Sequence, residues 1–293
     1  MYANVRDTTL YFDIEGAGLV PYQGEMREQP VLFALHGGPG GDHGGFKPAL
    51  SALTDRAQII YLDNRGCGRS ARGARDTYTL DNNVEDLEAM RRHLGLDKIG
   101  LLGASYGGMV ALSYAARYPR NLSHLILVAT TPSRRFLPRA QEILAERGTP
   151  EQQAAAEPLW SGTFESEEQL REYFEVLGPL YARTYDLEKS RKRPRIHNPE
   201  VLNEGFAGFL RSYDVTDDLH RITAPTLVIG ARHDWICAPE FSVEIAHGIP
   251  GADLRIFEHS GHSVFSDEPD AFTDVVRGFL TYTTRTDDQL TAG

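Results

Sequence analysis

Gly103-Ala104-Ser105-Tyr106-Gly107-Gly108 is the stretch that decides the fold. Before it stands Ile99-Gly100-Leu101-Leu102, an apolar run with the form of a buried strand's end. After it come residues 109–117, whose alanines and spaced apolar residues have the form of a helix. A serine at such a junction, with glycine two places away on either side, has the form of a nucleophile elbow. A side chain at either glycine would crowd a turn tight enough to push the serine hydroxyl clear of the backbone. Gly-x-Ser-x-Gly alone is a weak pattern in a chain with 28 glycines, and a plain glycine-rich turn would also produce it. The strand-turn-helix setting is what favours the elbow.

Working outward, the chain reads as three stretches. Up to about residue 131 it alternates short apolar strands with helical patterns. Residues 9–14 read as an outer strand, 31–35 and 58–62 as central strands, 83–94 as a helix and 122–128 as another strand. Residues 132–213 break this rhythm with many glutamates and helical pieces at 139–147, 165–177 and 199–210. In the second piece Leu170, Phe174 and Leu177 share a stripe that the insert cannot bury alone. The sheet pattern returns at 226–229 and 253–257, a closing helix is expected over 269–280, and the polar end 283–293 is expected to fray. The expectation is an α/β fold: a mainly parallel sheet flanked by helices, built from 1–131 and 214–293, with 132–213 as an inserted helical cap.

Composition excludes several function classes. With 293 residues, 41% hydrophobic and 24% charged, the chain can bury a large core. A formal charge of -11 gives no general attraction to nucleic acid or anionic lipid, so neither is expected as a partner. The first residues carry charge too early for a secretory signal, and no apolar run has the length of a membrane helix. Cys67 and Cys237 stand far apart and make neither a metal-spaced pair nor a disulfide scaffold. A cytoplasmic protein without cofactor or metal is expected.

An elbow serine needs a base and an acid to hold that base, and two loops beyond the insert offer them in the order Ser, acid, His. Asp234, in Gly230-Ala231-Arg232-His233-Asp234, follows the strand at 226–229. His262, in Ser260-Gly261-His262-Ser263, follows the strand at 253–257. Loops at the carboxyl ends of parallel strands share one crevice, so residues distant in sequence can meet there. An imidazole can take the serine proton and return it to a leaving group, and a carboxylate fixes its tautomer. A lone loop histidine is ordinarily solvated, and His233, His247 and His259 are read that way.

Two backbone donors should stabilise an oxyanion. One is the N–H of Tyr106, after the serine. The other comes from His36-Gly37-Gly38-Pro39-Gly40, directly after a strand, at Gly38. A phosphate loop is excluded there because no Gly-Lys-Ser/Thr follows. Asp63-Asn64-Arg65-Gly66-Cys67-Gly68-Arg69-Ser70 is a second dense loop, whose Arg65 could serve a substrate carboxylate or an internal ion pair.

Read together, HGGPG, DNRGCGRS, GASYGG, GARHD and SGHS resemble the proline iminopeptidase branch of the α/β-hydrolase superfamily over nearly the whole chain. The resemblance implies a Ser105–Asp234–His262 triad, an oxyanion site at Gly38 and Tyr106, and substrate contacts from Gly37. It implies metal-free removal of an N-terminal residue, typically proline, from short peptides or small amides. The cap of such enzymes excludes long chains and supplies acids for the substrate amine; here Glu204 is the local candidate, with Glu200 a turn away. Trp235 stands where some relatives place a glutamate for that amine. With the same triad an ester, a lactone or an amino-acid amide is the alternative substrate, and a silent ligand-binding protein the remote one. Ser105 argues against dehalogenases and epoxide hydrolases, which prefer aspartate there. The basic run 189–195 reads as a solvated, acid-paired linker.

Overall fold

Ten strands build the frame of the computed structural model, which describes residues 1–193 and 195–291. They are β1 (Tyr2–Val5), β2 (Thr8–Glu15), β3 (Leu19–Tyr22), β4 (Glu25–Glu28), β5 (Val31–Leu35), β6 (Gln58–Leu62), β7 (Ile99–Ala104), β8 (Leu122–Val128), β9 (Thr226–Ala231) and β10 (Asp253–Phe257). Eight form one sheet in the order β1-β2-β6-β5-β7-β8-β9-β10, while β3 and β4 pair as a separate hairpin. The pairings β1–β2 and β2–β6 are antiparallel, and every pairing from β6 to β10 is parallel. Parallel strands need crossover helices on both faces, and this is why β7 is buried along its whole length.

Alternate residues of the central strands feed two cores. Phe33, Leu35 and Leu101 pack on one face with α2 (Leu80–His93) and α3 (Tyr106–Arg117). Leu32, Ala34 and Leu102 pack on the other with α1 (Lys47–Ser51), whose Leu50 is buried there. The period of two along each strand therefore separates the helical layers.

Between β8 and β9 the chain leaves the sheet as α4 (Phe136–Arg147), α5 (Pro150–Ser161), α6 (Glu167–Tyr181), α7 (Leu187–Lys192) and α8 (Pro199–Ala207). The excursion closes at a neck where Ser133 bridges Asp214 and the Val215 N–H donates to the Pro132 carbonyl at 2.9 Å. Side-chain acceptors start these helices: Thr149 in a capping box with Gln152, Ser166 on the Gln169 N–H, and Asn198 on the Glu200 N–H. Leu170 and Leu177 of α6 are buried as the stripe required, with Phe174 packed at the margin.

After β9 come α9 (Pro239–Gly248), α10 (Val264–Asp267) and α11 (Pro269–Thr291). Helix α11 packs Phe272, Val276 and Leu280 against the second core and continues past Leu280 to Thr291. The end expected to fray over 283–293 is instead helical as far as Thr291, and residues 292 and 293 lie outside the described residues. Among the described residues no helix is long and apolar enough to cross a membrane.

Candidate active site

Ser105 joins β7 to α3 with φ 54° and ψ −121°. A non-glycine residue held there costs on the order of 1–3 kcal/mol, so the surroundings must over-determine the turn. They do. The Ser105 N–H donates to the Val128 carbonyl at 2.9 Å, and its own carbonyl accepts from the Gly108 N–H at 2.9 Å and the Thr130 hydroxyl at 2.7 Å. A β-carbon at Gly103 would overlap the Gly107 carbonyl, and one at Gly107 would overlap the Leu35 carbonyl. One at Gly108 would stand 2.5 Å from the Thr130 β-carbon. Each glycine marks a close backbone approach.

Asp234 and His262 leave the ends of β9 and β10 on neighbouring loops. The His262 Nδ1 lies 2.7 Å from Asp234 Oδ2, while Asp234 Oδ1 accepts the N–H groups of Ile236 and Cys237, each at 2.9 Å. With Nδ1 donating to the carboxylate, Nε2 carries the imidazole lone pair. The histidine loop is pinned by the cap. The Ser263 N–H donates to the Tyr181 carbonyl at 2.9 Å, and the Tyr181 and His262 rings meet edge-on with centroids 5.6 Å apart.

The loop after β5 lies against the serine: a β-carbon on Gly37 would sit 3.2 Å from that of Ser105. Gly38 has φ +131°, a conformation that favours glycine. Tyr106 opens α3, so its N–H has no acceptor within the helix. Its side chain turns inward, and its buried hydroxyl accepts from the Asn83 amide at 2.6 Å. His36 braces the loop from behind, with Nε2 accepting the Asn64 N–H at 3.1 Å and Nδ1 donating to the Gly37 carbonyl at 2.8 Å. Arg65, open between two roles in the sequence, is buried and bidentate to Asp86, with a second fork to Asp7. It is an internal brace.

Ser105, His262, Gly37 and Gly38 line one cavity of about 720 Å³ beneath the inserted helices. Its walls are largely apolar, with Phe136, Tyr173, Phe174, Tyr181 and Phe206 contributed by the insert. Cys237 lies beside Ser105, and burial pushes its thiol well above the ordinary value, so it stays protonated. Among the described residues no group of His, Cys, Asp and Glu is arranged to hold a metal ion.

Two residues expected to touch substrate are placed elsewhere. Helix α8 turns Leu202 and Phe206 into the cavity, and Glu204, two residues from each, does not line it. Residues two apart on a helix do not share a face. The other side of α8 meets Arg75, which pairs with Glu200 at 2.9 Å and feels the Glu204 charge. Trp235 is buried between Trp160 and Tyr181, with ring centroids at 6.1 and 5.3 Å, and docks the insert onto the sheet. Its neighbours Ile236 and Cys237 reach the cavity instead.

Asn198 is a residue the motifs did not single out. Its backbone N–H donates to the Gly40 carbonyl at 2.8 Å, and its side-chain amide donates to the Gly66 carbonyl at 2.8 Å. Its carbonyl would stand 2.5 Å from any β-carbon at Gly40. One buried residue thus ties α8 to both glycine-rich loops. The available signal was Asn before Pro199, an N-cap followed by a first-turn proline.

Residues 30–269 match the family model described as alpha/beta hydrolase fold. The chain is 35% identical to the proline iminopeptidase PfmaB of Pestalotiopsis fici, covering 92% of this chain and 98% of that protein. It is 31% identical to a proline iminopeptidase of Clostridioides difficile, over 85% of this chain and 89% of the relative. Among solved structures, an alpha/beta fold family hydrolase from Bacillus anthracis superposes with a TM-score of 0.78 at 23% identity, covering 97% of this chain and 98% of that one. The proline iminopeptidase of Mycobacterium smegmatis does so at 0.75 and 23%, covering 98% and 100%. A sheet, an elbow and a cap of this kind, with relatives so close over nearly full length, place the chain in the α/β-hydrolase fold family, as a serine hydrolase of its proline-iminopeptidase-like branch.

Proposed function

We propose that the protein removes an N-terminal residue, proline or another small apolar residue, from short peptides or small amides by acyl transfer to Ser105. His262 Nε2 takes the hydroxyl proton as Ser105 Oγ attacks the carbonyl carbon. Asp234 holds the ring and stabilises the imidazolium that forms. The tetrahedral oxyanion is met by the N–H groups of Gly38 and Tyr106, donors whose orientation is set before reaction. The imidazolium then protonates the leaving amine, the bond to nitrogen breaks, and water activated by His262 releases the acid.

One observation carries this reading: the His262–Asp234 bond at 2.7 Å opens onto the same cavity as the strained serine, with Gly37 packed against it. We take residues 132–213 as the cap that limits substrate length, and a reducing cytoplasm as the setting, which two free buried cysteines fit.

A second reading, an esterase, lactonase or amino-acid amidase on the same triad, has its own support. Glu204 does not line the cavity, so free-amine recognition loses the acid expected to supply it. Para-nitroanilides of proline and alanine, with free and acetylated amines, separate the two beside simple esters. The exopeptidase reading expects turnover only with the free amine; equal turnover of blocked substrates sinks it in favour of the second.

A further inference from the structure

The basic run after α6 divides into two groups. Lys189 lies 3.6 Å from Asp186, Arg191 pairs with Glu175 at 2.7 Å, and Lys192 lies 3.9 Å from Glu188. These three follow the acid-paired expectation. Arg193 and Arg195 depart from it: among the described residues no carboxylate is within 4.0 Å of either guanidinium, and both line the cavity that holds Ser105.

The carboxylates of that cavity are already engaged or stand elsewhere. Asp42 accepts the Gly44 N–H at 2.9 Å on one oxygen and the Ile196 N–H at 2.8 Å on the other. Asp186 caps α7 through the Lys189 N–H at 3.0 Å and faces the same lysine's ammonium. Asp270 belongs to the first turn of α11 in the sheet domain. His197 stacks on Phe174 with centroids 5.1 Å apart, and burial, then the Arg195 charge, pushes it down to about 4, so it adds no cation at neutral pH. A further donor is free as well. Tyr185 lines the cavity, and its hydroxyl is buried without a hydrogen-bond partner.

Arg193 and Arg195 are solvent-exposed residues on the cavity wall, and together with the orphaned Tyr185 hydroxyl they offer donors suited to an anionic oxygen ligand. Each guanidinium presents a planar fork of donors that matches a carboxylate. We propose that Arg193, Arg195 and Tyr185 form a carboxylate subsite at the cap end of the cavity, and that its ligand is the free C-terminal carboxylate of a short peptide. The proposal rests on the acyl-transfer reading, in which the N-terminal residue of that peptide is delivered to Ser105. Holding the far end of the substrate turns the cavity into a length gauge. Only a peptide whose carboxyl terminus lies a few residues from its scissile bond reaches both ends.

Binding to the Ser105→Ala protein tests this without turnover. Calorimetry with prolyl-alanyl-alanine and its C-terminal amide should show the free acid bound about tenfold more tightly, a preference that shrinks as salt is raised. The preference should fall toward parity when Arg193→Gln and Arg195→Gln are added, and persist with lysine at both positions. Equal affinity for acid and amide, or a preference that survives the double glutamine change, overturns the subsite. Turnover of the same two peptides by the unmodified enzyme tests the underlying reading separately, since hydrolysis of neither would remove acyl transfer while the affinity ratio still decides the subsite.

Discussion

The elbow at Ser105 and the cap helix α8 are both short, glycine-bearing segments at the wall of one cavity, yet they are constrained in opposite ways. Around Ser105 the constraint is backbone against backbone. Gly103, Gly107 and Gly108 each leave no room for a β-carbon, and the serine is held at φ 54° by hydrogen bonds to its N–H and its carbonyl. Along α8 the constraint is side chain against side chain: Leu202 and Phe206 choose which face turns inward, and Glu204 follows passively. A site fixed by backbone geometry tolerates almost no substitution. A site fixed by helix rotation is reset by whichever apolar residues pack best.

The sharpest break in that comparison is chemical. Ser105→Ala should fold normally and lose at least about 10⁴-fold in kcat on every substrate class, and Asp234→Asn should lose a comparable factor through the wrong imidazole tautomer. Surviving turnover would mean another nucleophile. Next in size is Gly107→Ala, whose added carbon would overlap the Leu35 carbonyl. It should cost about 3 kcal/mol or more in urea unfolding, or abolish soluble expression. A variant as stable as the parent would show that the elbow can relax.

Asn198 joins the two regions and gives a middle-sized effect. Asn198→Ala should lower kcat about tenfold with a smaller change in KM, because the Gly66 loop loses its side-chain tie to α8 while the backbone bond to Gly40 remains. Asn198→Asp keeps the helix-cap acceptor and loses only the donor to Gly66. It should therefore recover stability in thermal melts without recovering kcat. Recovery of both would reduce Asn198 to a helix cap.

Charges on the helices of the sheet layer and of the insert differ in a similar way, Glu88 lying on α2 and Glu175 on α6. Glu88 is buried, and although burial alone would raise its carboxyl, hydrogen bonds from Arg91, Tyr114 and Arg92 outweigh that and hold it at about 2. A carboxyl lowered on folding contributes stability above its ordinary value of 4.5, and that contribution drains as pH falls from 4.5 toward 2. Glu88→Gln should thus flatten the loss of stability across that window. Glu175→Gln, which removes an exposed cap pair with Arg191, should leave the acid-unfolding curve unmoved.

How much was legible in the sequence follows from this contrast. The parallel strands, the elbow and the Ser, Asp, His order are written in local patterns, because strand ends and forced glycines are local properties. Strands β1, β3 and β4 and helices α5 and α9 carry weaker patterns and were not legible. In α5, the run Gln152-Gln153-Ala154-Ala155-Ala156 offers only a narrow apolar stripe. Trp235 looked like a pocket residue because it follows Asp234, yet its neighbours in space, Trp160 and Tyr181, come from the cap and were not visible from the loop itself. The division of residues 189–195 into paired and unpaired cations was equally hidden, since Glu175 lies on another helix.

The smallest expected effect tests the passive end of the comparison. Glu204 sits on α8 two residues from Leu202 and from Phe206, each step of two turning the helix by roughly 200°. Both apolar side chains face the cavity, so the Glu204 carboxylate is carried toward Arg75. Glu204→Gln should then change kcat/KM for a free-amine anilide by less than about twofold, within the range of a distant surface charge. A loss of tenfold or more, confined to free-amine substrates and absent with esters, would require α8 to rotate when substrate binds. Leu202 and Phe206 would then have to leave the wall they now form, so the same rotation should appear as increased hydrogen exchange of α8 in the substrate-bound Ser105→Ala protein. Protection that stays unchanged together with a small kinetic effect leaves Glu204 outside the recognition of the amine.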